Sequence, residues 1–213
     1  MMSPKIAAID PVNPESDIIA KAGKIIQDNG VVIFPAQCLY GVAANALNKK
    51  AVEKVFHLKQ RSLNNPILIL ISNKNILLDL VTTISESAIK LMNAFWPGNL
   101  TLVFEAKDHI SQLLTANTGK IGIRIPVHPV AKALVESVKF PITGTSANLS
   151  GDKGCCQADK LVPSIIGHAD MVLDAGILKG GAGSTIVDTS KSNINIIREG
   201  RISVEEINKI LKD

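Results

Sequence analysis

The chain has 213 residues, 46% of them apolar and 20% charged, which is the composition of a globular protein and excludes disordered and fibrous classes. Aromatic residues make up only 3%, so a nucleic-acid surface of stacked, exposed rings is not expected. The formal net charge of +4 is mild: it permits an anionic ligand or an RNA contact but requires neither.

The apolar and cysteine patterns bear on the cellular compartment. The longest purely apolar run, residues 67–71, is far shorter than the ~20 residues that a membrane helix needs, and no signal-peptide pattern is present. Cys38, Cys155 and Cys156 are odd in number and lack zinc-ligand spacing, so reduced thiols are expected. We therefore expect a cytoplasmic protein with no membrane partner.

Helices and strands are predicted to alternate along the chain, with some direct steps from strand to strand. A first helix is predicted from an N-cap at Asn13 to a stop at Asn29, and another helix is predicted to open at Ser85 with Ile89, Met92 and Phe95 inward. The remaining predicted elements are strands over 31–34, 67–71, 100–104, 121–125, 141–145, 171–173, 184–188 and 194–198, and helices over 49–59, 129–138 and 203–211. This order predicts an α/β fold with a twisted, open, mixed β-sheet flanked by helices, forming a single domain over 1–213 with a core at about 15–200.

An arginine in a strand of isoleucines is the sharpest candidate for a functional residue. Residues 121–125 alternate cleanly, which puts Gly122 and Arg124 on the face opposite the isoleucines. A buried guanidinium is unfavourable unless it meets an anion or a carboxylate. Arg124 is therefore expected either to bind a ligand or to form a structural ion pair.

Other cations lie where chain elements end. Lys59 and Arg61 lie at the end of a predicted helix. They either complement the helix dipole or bind a phosphate together, the lysine through its compact ammonium and the arginine through its forked guanidinium. Arg198 ends a strand and is either a rim cation or a further phosphate contact.

Small polar residues cluster in two loops. Ser146 and Asn148 directly follow a predicted strand and are suited either to phosphate or ribose binding or to capping a turn. Ser184 follows a glycine run, residues 180–183, that matches neither common nucleotide-binding glycine pattern. Asp174 and Asp188 each end a predicted strand, where an aspartate either binds magnesium or caps a turn. The metal ligands therefore stay unassigned.

Several short segments, each weak alone, appear in a fixed order over about residues 15–200. They are Phe34-Pro35 with Tyr40-Gly41, Lys59-x-Arg61 with Asn65-Pro66, Trp96-Pro97-Gly98-x-Leu100-Thr101, Arg124-Ile125-Pro126-x-His128-Pro129, Ser146-Ala147-Asn148-x-Ser150-Gly151, Ser184-Thr185-Ile186-Val187-Asp188 and Arg198-x-Gly200. Together they resemble the YrdC family, the threonylcarbamoyl-AMP synthases. The resemblance implies that L-threonine, bicarbonate and ATP are converted, with Mg²⁺, to threonylcarbamoyl-AMP and pyrophosphate for the modification of adenosine in tRNA.

The resemblance also implies roles for particular residues. ATP would be held by Lys59, Arg61, Ser146, Asn148 and Arg198, and threonine by Arg124 and Ser184, with Lys59, Arg61 and Arg124 serving catalysis. A reaction that joins several anions depends mainly on charge neutralisation and orientation, so no covalent nucleophile is required. Implied partners besides the substrates are tRNA or double-stranded RNA and other tRNA-modification proteins.

The sequence departs from the family pattern after Phe34-Pro35. The usual Thr-acid-Thr is replaced by Ala36, Gln37 and Cys38, which removes two hydroxyls and a carboxylate near the implied amino-acid pocket. Two further differences are Ser62 and Thr145, each in place of a common proline. An acyl-adenylate enzyme with another amino-acid substrate therefore stays an alternative, as does a non-catalytic RNA-binding member of the fold.

Overall fold

The computed structural model describes residues 5–191 and 193–212. Its helices are α1 (Ser16–Gln27), α2 (Lys49–Lys59), α3 (Leu77–Leu80), α4 (Glu86–Phe95), α5 (Gln112–Thr115), α6 (Pro129–Ser137), α7 (Pro163–Gly167) and α8 (Val204–Lys212). Its strands are β1 (Lys5–Ala8), β2 (Val32–Pro35), β3 (Tyr40–Ala43), β4 (Ile69–Leu70), β5 (Leu100–Glu105), β6 (Lys120–Arg124), β7 (Ile142–Thr143), β8 (Thr145–Ser146), β9 (Met171–Asp174), β10 (Thr185–Asp188) and β11 (Asn195–Arg198). Among these described residues, no helix combines the length and apolarity that crossing a membrane requires.

The strands form two mixed sheets. One sheet has the order β1-β9-β2-β3-β8 and the other the order β11-β10-β5-β6-β4-β7, each with parallel and antiparallel pairs. The predicted α/β fold with mixed pairing is confirmed, whereas the expectation of one open sheet is replaced by two.

The division into two sheets occurs at Gly144. The extended segment predicted over 141–145 becomes β7 in one sheet and β8 in the other, with this glycine between them. A Cβ at Gly144 would lie 2.6 Å from Leu68 Cδ1 and 2.8 Å from Leu70 Cγ, so only glycine fits the close approach. The Thr143 hydroxyl reinforces the junction, since it accepts from Ala44 N and donates to Val42 O.

Apolar side chains from both sheets share one continuous core. Ile33 and Val42 of the first sheet and Leu102 and Ile123 of the second belong to the same buried cluster, which α2 and α4 cover. The opposite face of the first sheet packs on α1 and α6, so β2 is buried on both faces. This packing leaves the opposite face of the second sheet to line a cavity.

The helix predictions differ in accuracy. Helix α2 has the predicted bounds, and its Ala51, Val52, Val55 and Phe56 are all buried as expected. In α4 the inward placement of Ile89 is wrong, because that side chain is 45% exposed. The buried face runs through Ala88, Leu91 and Met92 to Phe95, and this spacing of three, four and seven residues matches the 3.6-residue turn. Successive steps of three residues from Ile89 rotate by less than a full turn each time, so Ile89 lies outside that face.

Candidate active site

A cavity of about 690 Å³ opens on the face of the six-stranded sheet that does not pack into the core. Strand β6 supplies Lys120, Gly122 and Arg124 to its floor, while Ile121 and Ile123 point into the core. The predicted alternation of this strand is therefore confirmed. Neighbouring β5 and β10 contribute in the same way, every second residue facing the cavity.

The other sheet supplies a wall of the same cavity. The turn between β2 and β3, with Gln37 and Cys38, lines it, as do Thr145 and Ser146 of β8. Gly144, where the chain passes between the sheets, also lies on the cavity surface. Residues far apart in sequence thus meet because the two sheets adjoin at this point.

Positive charge is concentrated in the cavity. Its lining contains four cations, Arg61, Lys120, Arg124 and Arg198, and a single carboxylate, that of Asp188, among the residues described. The whole chain has a net charge of only +4, so most of the excess lies at this place. Charge of one sign in a cavity raises the local concentration of an oppositely charged ligand, which indicates an anionic substrate.

Arg124 is buried, with 6% of its surface exposed, and its charge is uncompensated. Its Nε is shut off from solvent and lacks an acceptor, and no carboxylate within 5–191 or 193–212 pairs with its guanidinium. Burial lowers the pKa of Arg124 to about 10, and the charge of Arg198 contributes to this lowering. The described residues therefore provide no structural ion pair for Arg124, and its predicted ligand contact stays a prediction.

Lys59 lies deeper than the phosphate-clamp interpretation implied. Its ammonium donates to Asn148 O at 2.7 Å and also to Ser146 O, so it holds the main chain of the loop that follows β8. Burial, and then the charge of Arg61, lower the pKa of Lys59 to about 8. Lys59 is absent from the cavity lining, and its proposed contact with ATP stays a prediction.

Arg61 and Arg198 both face the cavity and are held by main-chain carbonyls. Arg61 donates to Asn65 O at 3.1 Å and Pro66 O at 2.8 Å, and Arg198 donates to Ser184 O at 2.8 Å. Burial lowers the pKa of each guanidinium. Because hydrogen bonds to main-chain carbonyls orient the two guanidinium groups without neutralising their charge, both cations stay available to phosphate oxygens.

The predicted small polar residues occupy different places. Ser146 and Ser184 line the cavity, and the Ser184 hydroxyl is 2.8 Å from the Thr101 hydroxyl. Asn148 instead points into its own loop, donating to Leu149 O at 2.6 Å and Asp152 O at 2.9 Å. Its predicted contact with ATP is therefore a matter for experiment, as is that of Ser146.

Of the two aspartates considered as metal ligands, Asp188 faces the cavity and Asp174 lies in the other sheet. Asp174 accepts from Gly176 N and from the Tyr40 hydroxyl, as a turn cap would. Asp188 is 2.7 Å from the Lys120 ammonium. Although burial raises the pKa of Asp188, hydrogen bonds from Lys120 and Ser190 hold it below its usual value. Within the described part of the chain, no group of three or more His, Cys, Asp or Glu side chains is placed to hold a metal ion.

Lys120 is a cavity residue that sequence reasoning missed. The signal was present, because Lys120 precedes Gly122 and Arg124 by steps of two and therefore shares their face of β6. Its ion pair with Asp188 was not visible in the sequence, since the partner is on β10, two strands away. Such pairs are decided by the order of strands.

Comparison with known proteins identifies relatives along most of the chain. The family model Sua5_yciO_yrdC, described as telomere recombination, matches residues 24–200. A threonylcarbamoyl-AMP synthase of Bacillus subtilis is 34% identical over 203 residues, which are 95% of this chain and 59% of that protein. A threonylcarbamoyl-AMP synthase of Pyrococcus abyssi is 33% identical over 190 residues, 89% of this chain and 56% of that protein. The chain thus spans less than two thirds of the length of these two relatives.

Solved structures agree with the sequence comparison. Sua5 of Pyrococcus abyssi complexed with L-threonine has a TM-score of 0.92 at 32% identity, covering 97% of this chain and 60% of that chain. Escherichia coli YciO has a TM-score of 0.86 at 23% identity over 96% of this chain and 99% of its own, which supports the fold. On the matched residues and the shared fold, the chain belongs to the Sua5/YciO/YrdC family.

Proposed function

We propose that the protein is an L-threonylcarbamoyladenylate synthase, which forms threonylcarbamoyl-AMP and pyrophosphate from L-threonine, bicarbonate and ATP. The observation that carries this proposal is Arg124, a buried guanidinium without a protein anion, on the floor of a cationic cavity. A substrate carboxylate would supply the missing charge and hydrogen-bond acceptor. The names and the threonine complex of the relatives support threonine as the source of that carboxylate.

The other cations would bind the nucleotide. Arg61 and Arg198 would contact phosphate oxygens through the N–H groups that their carbonyl bonds leave free. Ser146 and Asn148 would contribute polar groups of the loop after β8, and Lys59 would fix that loop while adding positive charge beneath it. Ser184 would assist at the threonine end. Catalysis would then consist of orientation and charge neutralisation among fixed dipoles and cations.

Magnesium would enter this site together with ATP. Mg²⁺ is commonly held by one or two carboxylates plus substrate phosphates, and the one carboxylate described in the cavity, Asp188, fits that donor set. When bound, the ion would neutralise the negative charge that develops on the phosphate oxygens. Lys120, which pairs with Asp188 at 2.7 Å, would add positive charge on the same side of the cavity.

The wider setting is part of the same proposal. The product would serve the threonylcarbamoyl modification of adenosine in tRNA, with tRNA-modification proteins as partners and the cytoplasm as the location. Bicarbonate would be the carbamoyl carbon source. The single-domain organisation over 1–213 is likewise a proposal.

Pyrophosphate release tests the proposal directly. The protein is incubated with ATP, Mg²⁺ and bicarbonate, with and without L-threonine and then with other amino acids, and the product is identified by mass spectrometry. Threonine-dependent release with threonylcarbamoyl-AMP as product is the expected result.

Two other outcomes would contradict the proposal. Release with a different amino acid would make the protein a specificity variant, as the replacement at residues 36–38 allows. No release under any condition, together with RNA affinity that falls steeply with salt, would favour the non-catalytic RNA-binding alternative, because neutralised phosphates release counterions.

A further inference from the structure

The turn between β2 and β3 places Gln37 in the cavity wall under tight constraint. Ala36 N donates to Leu39 O at 3.1 Å, and the Cys38 thiol donates to Ala182 O at 3.2 Å, so both neighbours of Gln37 are anchored. The Gln37 Oε1 atom is shut off from solvent and has no donor among the described residues. A buried acceptor without a partner is unfavourable, which indicates that a ligand group is missing.

An unpaired donor faces the same cavity. Arg124 Nε is buried without an acceptor, as described above. Gln37, the following residue Cys38 and Arg124 all line this cavity. The wall and the floor of one cavity therefore offer an unpaired acceptor and an unpaired donor. A ligand that satisfies both must carry an anionic acceptor and an N–H or O–H donor, as an α-amino acid does.

The charges nearby decide which form of the amino group fits. Gln37 is neutral, and the cavity carboxylate that the structure describes, Asp188, is already paired with Lys120 at 2.7 Å. An ammonium group would therefore enter a cationic cavity without a free counter-charge. An uncharged nitrogen can donate one N–H to an amide oxygen at no such electrostatic cost.

We propose that Gln37 is a specificity-determining residue, whose Oε1 accepts a hydrogen bond from the nitrogen of the bound amino acid and favours that nitrogen in an uncharged form. The inference rests on the proposed function and deepens it. Gln37 favours a nitrogen that is acylated, carboxylated or deprotonated, whereas a carboxylate side chain at this position would favour the ammonium.

Calorimetric binding of two probes tests this role. L-Threonine carries an ammonium, whereas N-acetyl-L-threonine carries an uncharged N–H with the same carboxylate and hydroxyl. Gln37→Leu should weaken the binding of N-acetyl-L-threonine by roughly 5- to 150-fold, which is the effect of losing one hydrogen bond whose partner stays buried. Gln37→Glu should shift the ratio of the two affinities toward L-threonine by about tenfold or more. Gln27→Leu, at an exposed position on α1, is the matched control and should change neither affinity.

The outcomes separate this inference from the proposed function. Unchanged affinities in Gln37→Leu, or an unchanged ratio in a folded Gln37→Glu variant, would overturn the role of Gln37 while threonine-dependent pyrophosphate release by the unmodified protein still stood. Failure of the unmodified protein both to bind either probe and to release pyrophosphate with threonine would overturn the two together. Thermal unfolding of each variant checks that the turn still folds.

Discussion

Replacing Arg124 by methionine separates its binding role from a structural one. Methionine is unbranched and uncharged, so it keeps the packing of the aliphatic stem while removing the buried guanidinium. Burial lowers the pKa of Arg124 to about 10, which corresponds to roughly 3 kcal/mol of unfavourable free energy for the charged form. Arg124 is charged at pH 7 in both the folded and the unfolded chain, so this cost is fully present at every pH below about 10.

Arg124→Met should therefore leave the free energy of unfolding unchanged or raise it, by up to about 3 kcal/mol at pH 7. For a chain of this size the melting temperature would rise by about 2–4 °C per kcal/mol. The same change should weaken threonine binding by roughly 30-fold or more, because truncating one member of a buried charge pair costs ~2–5 kcal/mol. ATP affinity should change little.

Differential scanning calorimetry and titrations with threonine and ATP measure these effects. Arg124→Lys is the matched control: it retains the positive charge but loses the forked geometry, and it should recover only part of the threonine affinity. A melting temperature several degrees lower in Arg124→Met, with threonine affinity retained in the folded fraction, would refute the assignment. Arg124 would then be a structural residue.

Three further predictions concern other parts of the site. Because burial lowers the pKa of Lys59 to about 8, its charge is lost as the pH rises through 8 in the folded protein but only near 10.5 in the unfolded chain. ATP affinity should accordingly fall between pH 7 and 9, and titrations of Lys59→Met should show a much flatter pH profile; parallel profiles would contradict this. Asp188→Asn should raise the Mg²⁺ concentration for half-maximal pyrophosphate release by roughly tenfold, since Asp188 is the carboxylate described in the cavity, and an unchanged requirement would remove it from the metal site. Gly200→Ala should lower the free energy of unfolding by about 1–3 kcal/mol in a denaturant titration, because its Cβ would collide with Gly183 O and lie 2.7 Å from Ser184 O; a wild-type midpoint would show that this segment adjusts freely.

The local spacing of apolar and polar residues was enough to predict several of the strands and helices that carry the site. The alternation in residues 121–125 placed Gly122 and Arg124 on the cavity face, and the apolar spacing of residues 49–59 defined α2 with its correct buried side. These predictions succeed because a side chain's direction within one strand or helix depends only on the local backbone geometry. Short strands carried a weaker signal: β1 and β3, each of four residues, were not predicted.

The amino-acid sequence by itself determined the mixed α/β class, the order of the motifs and the residue types of a cationic, anion-binding site. Only the tertiary structure decided that the sheet divides at Gly144, that Lys59 turns inward to the carbonyls of Ser146 and Asn148, and that Lys120 pairs with Asp188. It also decided that Arg124 has no protein carboxylate beside it in the described chain. Each of these features depends on contacts between segments distant in sequence, and their partners are fixed by strand order and sheet packing rather than by local spacing.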